Sequence, residues 1–410
     1  MLSRIDVHEL FIVPRLGDVK PDPRSNGGAR RRAKPSRSRI ALAAYILGVS
    51  CPRRSYNGRM ILSRYPQGLV LLACLVTCRA PAAPEQADHV GLREVEAAVG
   101  EEPAREFHPY IGEEWIGNAV SYGPFRDGQG PGGAGPSDEQ ILEDLRIMAK
   151  HWKLIRMYGS EWAEPVLRLI RQEELPMRVL VGAWLTTEVE QGPDGEDVID
   201  ADAVAANVRQ VSGAIRVARE YPELVAGISV GNEIRVFWSD HKVRPQRLIG
   251  YLRAVRAETE VPVTMADDFN YWNKPESQAV AKEVDFIVLH IHALWAGCSI
   301  EDAMPWTERI YGEIRDAHPT KTVVIGEAGW ATSKHTEGEQ ARLIKATPDA
   351  QGQKHYWEAL RAWAEENRVT TFWFEAFDEN WKGGPHPDEV EKHWGVFYTD
   401  RTPKLALKND

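Results

Sequence analysis

Between residues 115 and 404, short β-branched or aromatic runs alternate with longer segments whose apolar residues recur every three or four positions. That rhythm dictates βα units around a parallel sheet. Each run is apolar enough to be buried on both faces, and each helical segment has one face to lay over it. The predicted strands are Ile116 to Tyr122, Leu154 to Tyr158, Arg178 to Trp184, Val225 to Val230, Val261 to Met265, Phe286 to His292, Thr322 to Ile325 and Thr370 to Phe377. Ile141, Leu145 and Met148, or Leu248, Leu252 and Val255, mark intervening helices, and Ser137 with Gln140 offers a capping box ahead of the first. Eight units in about 290 residues match a (β/α)8 TIM barrel of the α/β class, whose usual size is roughly 250 residues. A doubly wound open sheet is the competing architecture, but no G-x-G-x-x-G follows the first run. The glycine-rich stretch GQGPGGAGP at 128 to 136 lacks a GK[ST] ending and reads as a flexible loop rather than a phosphate cradle.

Barrel enzymes carry their chemistry on the C-terminal ends of the strands. The fourth run ends GISVGNE, putting Asn232 and Glu233 directly after buried residues; the seventh ends VVIGEAGW, putting Glu327 in the equivalent place. A carboxylate at the end of a buried strand is costly to desolvate, so two of them at one rim point to a site. The bland alternative makes each Glu a neighbour of a helix cap or the partner of a cation such as Arg156. Paired carboxylates suit acetal cleavage, one protonating the leaving oxygen and one attacking or stabilising the oxocarbenium-like centre. Their separation sets the stereochemistry: roughly 5 to 5.5 Å for retention, roughly 6.5 to 9.5 Å for inversion.

GNE at 231 to 233, GEAGWAT at 326 to 332, FEAFDENWKGG at 374 to 384 and HWGVFYTDRTPK at 393 to 404 together resemble glycoside hydrolase family 17, in its bacterial type. Its members are β-1,3-glucanases of the large retaining barrel clan. SYGPF at 121 to 125 and IRMYG at 155 to 159 extend the resemblance over essentially all of 115 to 404. It implies that Glu233 is the acid/base, that Glu327 is the nucleophile and that Asn232 holds the sugar 2-hydroxyl. It also implies that Glu379 and Lys382 line the subsite at the cleaved bond, with Asp378 beside them. Burial and its partner's charge should raise the pKa of Glu233, while donors such as Arg156 keep Glu327 ionised. Where the family usually shows Asn-x-Tyr-Pro after strand six, this chain has LHIHALW. His292 is then placed to hydrogen-bond the nucleophile, against the alternative of a satisfied core histidine. His290 and His292 share a strand face, but no third ligand is evident in the sequence, and neither metal nor cofactor is expected.

Aromatic rings stack on the apolar faces of sugars. Candidates at strand ends are Tyr122, Tyr158, Trp184, Trp238, Trp272, Trp295, Trp330, Trp373 and Trp381, of which Trp330 and Trp381 flank the motif acids. Asp267 and Asp268 read either as sugar ligands or as a solvated loop pair.

Composition narrows the partners. The chain of 410 residues carries a net charge of −10, and residues 60 to 410 alone carry −19, a surface that repels phosphate backbones and suits a neutral ligand. The expected partner is therefore a β-glucan and not nucleic acid, bound by a monomer. Of four cysteines only Cys298 lies in the barrel region, where a buried inert thiol is expected, and no disulfide framework can be built. Residues 1 to 59 are basic and rich in Arg, Ser, Pro and Gly, which reads as a disordered, untranslated extension upstream of a start at Met60. Residues 60 to 82 resemble a secretory signal or a lipoprotein signal with Cys78 in a weak lipobox. A linker follows at 83 to 106 and the catalytic barrel at 107 to 410, giving an exported protein with membrane contact only through that signal. Transglycosylation by the same two acids, and a non-catalytic glucan-binding barrel, are the alternative functions.

Overall fold

The computed structural model describes residues 103–408. The extension, signal, lipobox and most of the linker expected from the sequence lie outside the described residues. Eight parallel strands close into a barrel: β1 (Asn118–Ser121), β2 (Leu154–Arg156), β3 (Arg178–Ala183), β4 (Val225–Asn232), β5 (Val263–Asp268), β6 (Ile287–His290), β7 (Val323–Ala328) and β8 (Thr371–Trp373). Each strand pairs with its sequence neighbours, and β8 pairs with β1 to close the ring. The strands are short and almost wholly buried because helices cover one face and the barrel interior covers the other. All eight expected runs are barrel strands, with ends displaced by at most four residues. The open sheet is thereby excluded.

The helices are α1 (Asp138–Met148), α2 (Ala163–Gln172), α3 (Ala201–Glu220), α4 (Pro245–Glu258), the short α5 (Phe269–Trp272) and α6 (Ser277–Ala281), α7 (Ile300–Ala317), α8 (Gly338–Leu343) and α9 (Ala350–Asn367). The Ser137–Gln140 capping box forms as expected, and Ile141, Leu145 and Met148 point inward from α1. An antiparallel hairpin, Val189–Gln191 with Asp197–Ile199, fills the β3–α3 connection. Its exposed residues carry no half-buried alternation, so the sequence did not signal it.

Two apolar layers result. The larger lies between strands and helices. The smaller takes one residue from every strand, Ala119, Leu154, Leu180, Ala226, Ala266, Val288, Val324 and Phe372, with Phe107 stacked on Phe286 at 4.4 Å across the bottom. This plug fills the lower barrel and leaves polar side chains to the C-terminal mouth. Cys298 is half-buried against the larger layer, and burial pushes its thiol up, away from thiolate chemistry.

Candidate active site

At the end of β4 the pairing with β5 shifts register between Ser229 and Asn232. Gly231 takes φ +86° and Glu233 itself φ +50°, while the Glu233 N–H still donates to Ala266 O at 2.9 Å. A glutamate in the left-handed region costs on the order of 1–3 kcal/mol, and here that conformation turns the side chain into the mouth. Glu327 lies within β7, where the pairing shifts register against both neighbours, between Leu289 and His290 of β6 and between Ile325 and Ala328 on the β8 side. It sits opposite His290 of β6, and His290 sits opposite Asp268 of β5.

Carboxylate oxygens of Glu233 and Glu327 and a ring nitrogen of His290 lie within 4.8 Å of one another. One oxygen of each acid thus comes within 4.8 Å of the other's, on the short side of the two carboxyl separations that glycosidases use. Arg156 Nη1 donates to Glu327 Oε1 at 2.8 Å and its Nη2 to Asn232 Oδ1 at 2.5 Å, so one guanidinium ties β2, β4 and β7. That second bond fixes the Asn232 amide, leaving its NH2 free to donate. His292 Nε2 stands 3.1 Å from Glu327 Oε2, where the sequence expected it. His290 Nδ1 lies 2.9 Å from Glu233 Oε1 and its Nε2 3.4 Å from Glu327 Oε1.

The two acids are driven apart in protonation. Burial and the facing charge of Glu327 push Glu233 up to about 8. Burial would raise Glu327 as well, but His290, the His292 hydrogen bond and Arg156 outweigh it and hold Glu327 well below the usual range. Burial keeps His290 neutral, down at about 3, whereas the Glu327 bond outweighs burial at His292 and raises it.

Glu233, His290 and Glu327 are the group among the described residues that could grip a cation. The sequence offered no third ligand beside the two histidines; the fold brings these three together from three strands. They do not fit a resident metal, because the Arg156 guanidinium already faces the Glu327 oxygen and would repel a second cation there.

Around this centre lie further groups. Lys382 pairs with Glu375 and with Glu379 at 2.9 Å; burial would lower it, but the two acids hold it charged. Glu379 Oε1 accepts from Trp381 Nε1 at 3.1 Å, and a Cβ on Gly123 would fall 2.4 Å from that same oxygen, so any larger residue there would displace the Glu379 carboxylate. Trp381 is 42% exposed and available to a ligand, resting on Phe125 and the Gly130 segment. Tyr158 lies under Arg156 at 4.7 Å. Asp267 and Asp268 are buried and so are not a solvated loop pair: Asp268 caps α5 and Asp267 accepts the Arg235 N–H.

Three expected ligands are elsewhere. Tyr122 turns outward, its hydroxyl on Asp144 of α1 at 3.2 Å. Trp330 is buried beneath α9 beside Tyr356. Asp378 is bound by Lys404 at 2.8 Å and by the Gly395 N–H, which fastens the C-terminal segment. Of the other strand-end rings, Trp272 and Trp373 are core, while Trp184 and Trp238 are exposed. Glu375 and Glu391 were missed. Glu375 stands within FEAFDENWK, where the rule applied to strands four and seven would have found it. Glu391, accepting from Trp295 Nε1 at 3.0 Å, comes from a 3-10 turn that no strand rule reaches.

Residues 119–395 match the model of the BtgE/BtgC glycoside hydrolase domain. The chain belongs to this family. The glucan 1,3-beta-glucosidase of Arthroderma benhamiae is 28% identical over 67% of this chain and 86% of its own length. The glucan endo-1,3-beta-glucosidase btgC of Emericella nidulans is 25% identical over 67% of this chain and 42% of its own. The chain spans about two-fifths of the length of the btgC relatives it matches, 40% for the Aspergillus niger protein. Among solved structures, an endo-laminarinase from Formosa Hel1_33_131 superposes with a TM-score of 0.60 at 24% identity, covering 72% of this chain and 87% of the other. The glycoside hydrolase family 17 β-1,3-glucanosyltransferase of Rhizomucor miehei gives 0.56 at 21%, covering 71% and 96%. These two share the barrel fold with this family member.

Proposed function

We propose that the chain is a retaining glycosidase of glycoside hydrolase family 17, in its bacterial type, acting on β-1,3-glucan by double displacement. The observation that carries this reading is the Glu233–Glu327 spacing, within 4.8 Å, combined with their opposed protonation. Glu233, protonated, gives its proton to the glycosidic oxygen as the Glu327 carboxylate attacks the anomeric carbon. The glycosyl ester on Glu327 is then cleaved by water that Glu233, now a base, deprotonates. Asn232 donates its fixed amide to the 2-hydroxyl, and Trp381, with Glu379 and Lys382 behind it, forms a wall of the cleaved-bond subsite. A sugar hydroxyl in place of water would give transglycosylation with the same residues, and the glucanosyltransferase likeness in fold makes that the second reading. Export through residues 60–82, possession of a free barrel at 107–410 and action as a monomer belong to the same proposal.

The test is to incubate the full chain, with Glu233→Ala and Glu327→Ala variants, on laminari-oligosaccharides and to resolve products by size and anomer. Shorter β-anomeric products are expected, reduced by roughly 10²–10⁴ or more in either variant. Products longer than the substrate would move the assignment to a glucanosyltransferase. First-formed α-anomers would overturn retention, and binding without turnover would leave a glucan-binding barrel.

A further inference from the structure

Where the family that this chain resembles usually shows an asparagine, the chain carries His290, and its ring is the one group that touches both central carboxylates. The ring is fully buried, with Nδ1 at 2.9 Å from Glu233 Oε1 and Nε2 at 3.4 Å from Glu327 Oε1. Facing it are Glu233 from the end of β4, Glu327 from β7, Asp268 from β5, Arg156 from β2 and His292 two residues on. Space for it exists because residue 326 is glycine. A Cβ there would lie 3.2 Å from His290 Cδ2 and 2.2 Å from Val288 Cγ1.

A neutral imidazole owns one N–H and one lone pair. With the N–H at Nδ1 the ring donates to Glu233 Oε1 and leaves the acid O–H on the other carboxyl oxygen, free to face the scissile oxygen, while Nε2 stands 3.4 Å from Glu327 Oε1 with no hydrogen-bond partner. The opposite tautomer would draw the Glu233 O–H onto Nδ1 and away from the scissile oxygen. We propose that His290 is a positioning residue that aims the Glu233 acid proton at the scissile oxygen by holding the other oxygen of that carboxyl at Nδ1. The proposal rests on the glycosidase reading above. The proton does not pass through the ring: it leaves Glu233 directly for the glycosidic oxygen.

The experiment compares the full chain with His290→Ala and His290→Asn on two substrates across pH. One is laminaritetraose, whose leaving group needs the acid; the other is a 2,4-dinitrophenyl β-glucoside with azide, which needs neither acid nor base. On the tetrasaccharide His290→Ala should lose about tenfold or more in kcat with KM within about twofold and move the alkaline limb of its pH profile, and His290→Asn, which keeps an N–H donor, should recover part of that loss. On the activated glucoside the loss should stay below about threefold. Two variants and a thermal melt of each separate misfolding from lost aim. Equal losses on both substrates with unmoved pH limits, or no loss at all, overturn the proposal. Failure of the underlying reading looks different: the unsubstituted chain turns over neither substrate, or Glu233→Gln slows both equally, and the proposal falls with it.

Discussion

A glutamic acid that stays protonated at neutral pH must lose more on ionising than water would let it lose, and Glu233 meets that condition through burial and the charge of Glu327. The pH profile follows. Activity requires Glu233 as the acid, so kcat/KM should fall as pH rises through about 8. It requires Glu327 as the anion, whose pKa is lowered, so the acidic limb should lie below 4.5. A pH series of initial rates checks both. The stability signs differ. Glu327, depressed in the fold, contributes stability above its unfolded pKa and loses it as pH falls through the folded one. Glu233, raised in the fold, costs stability as pH climbs from 4.5 to about 8. Glu233→Gln should therefore raise the melting temperature at pH 9 by roughly 3 °C or more, with little change at pH 5. At this scale the sequence was legible where a charge followed a buried strand, as at Glu233 and Glu327. It was illegible where a side chain had to choose inward or outward. Tyr122 and Trp330 flank the right motifs, yet a one-residue step along a strand points a ring at the helices instead of the mouth.

Elements place these residues through close approaches that small side chains permit. Gly326 lets β6 and β7 draw together with His290 between them, so Gly326→Val should destabilise by about 1–3 kcal/mol and cut turnover. Urea denaturation and steady-state rates on one preparation check this. The eight strands were legible because each is a continuous apolar run bounded by polar residues. Their ends were not, because hydrogen bonding in the barrel, rather than composition, terminates a strand. β4 runs on to Asn232 through a register shift, whereas β8 stops at Trp373 although Phe374, Ala376 and Phe377 follow.

Over the whole molecule, one buried acid joins distant parts of the chain. Asp144 of α1 accepts from Arg401 at 2.9 and 2.8 Å, from Arg126 at 2.7 Å and from Tyr122, and so clasps the C-terminal segment and the first βα loop to the barrel. Asp144→Ala leaves two guanidinium groups without their shared anion and should cost about 3–5 kcal/mol, read as a lower urea midpoint with an unchanged slope. Nothing in the sequence pairs residue 144 with residue 401, since such a contact depends on closure of the ring. By itself the sequence determined the alternation of strands and helices, the barrel class and the two motif glutamates, because periodicity and burial are written locally. The tertiary structure alone decided the gap between those acids, the histidine that lies between them, the placing of Tyr122, Trp330 and Asp378 away from the mouth, and the pairing of Glu375 with Lys382. Each depends on which strand ends the closed barrel brings face to face, and that distance is set by pairing across the ring rather than by position along the chain.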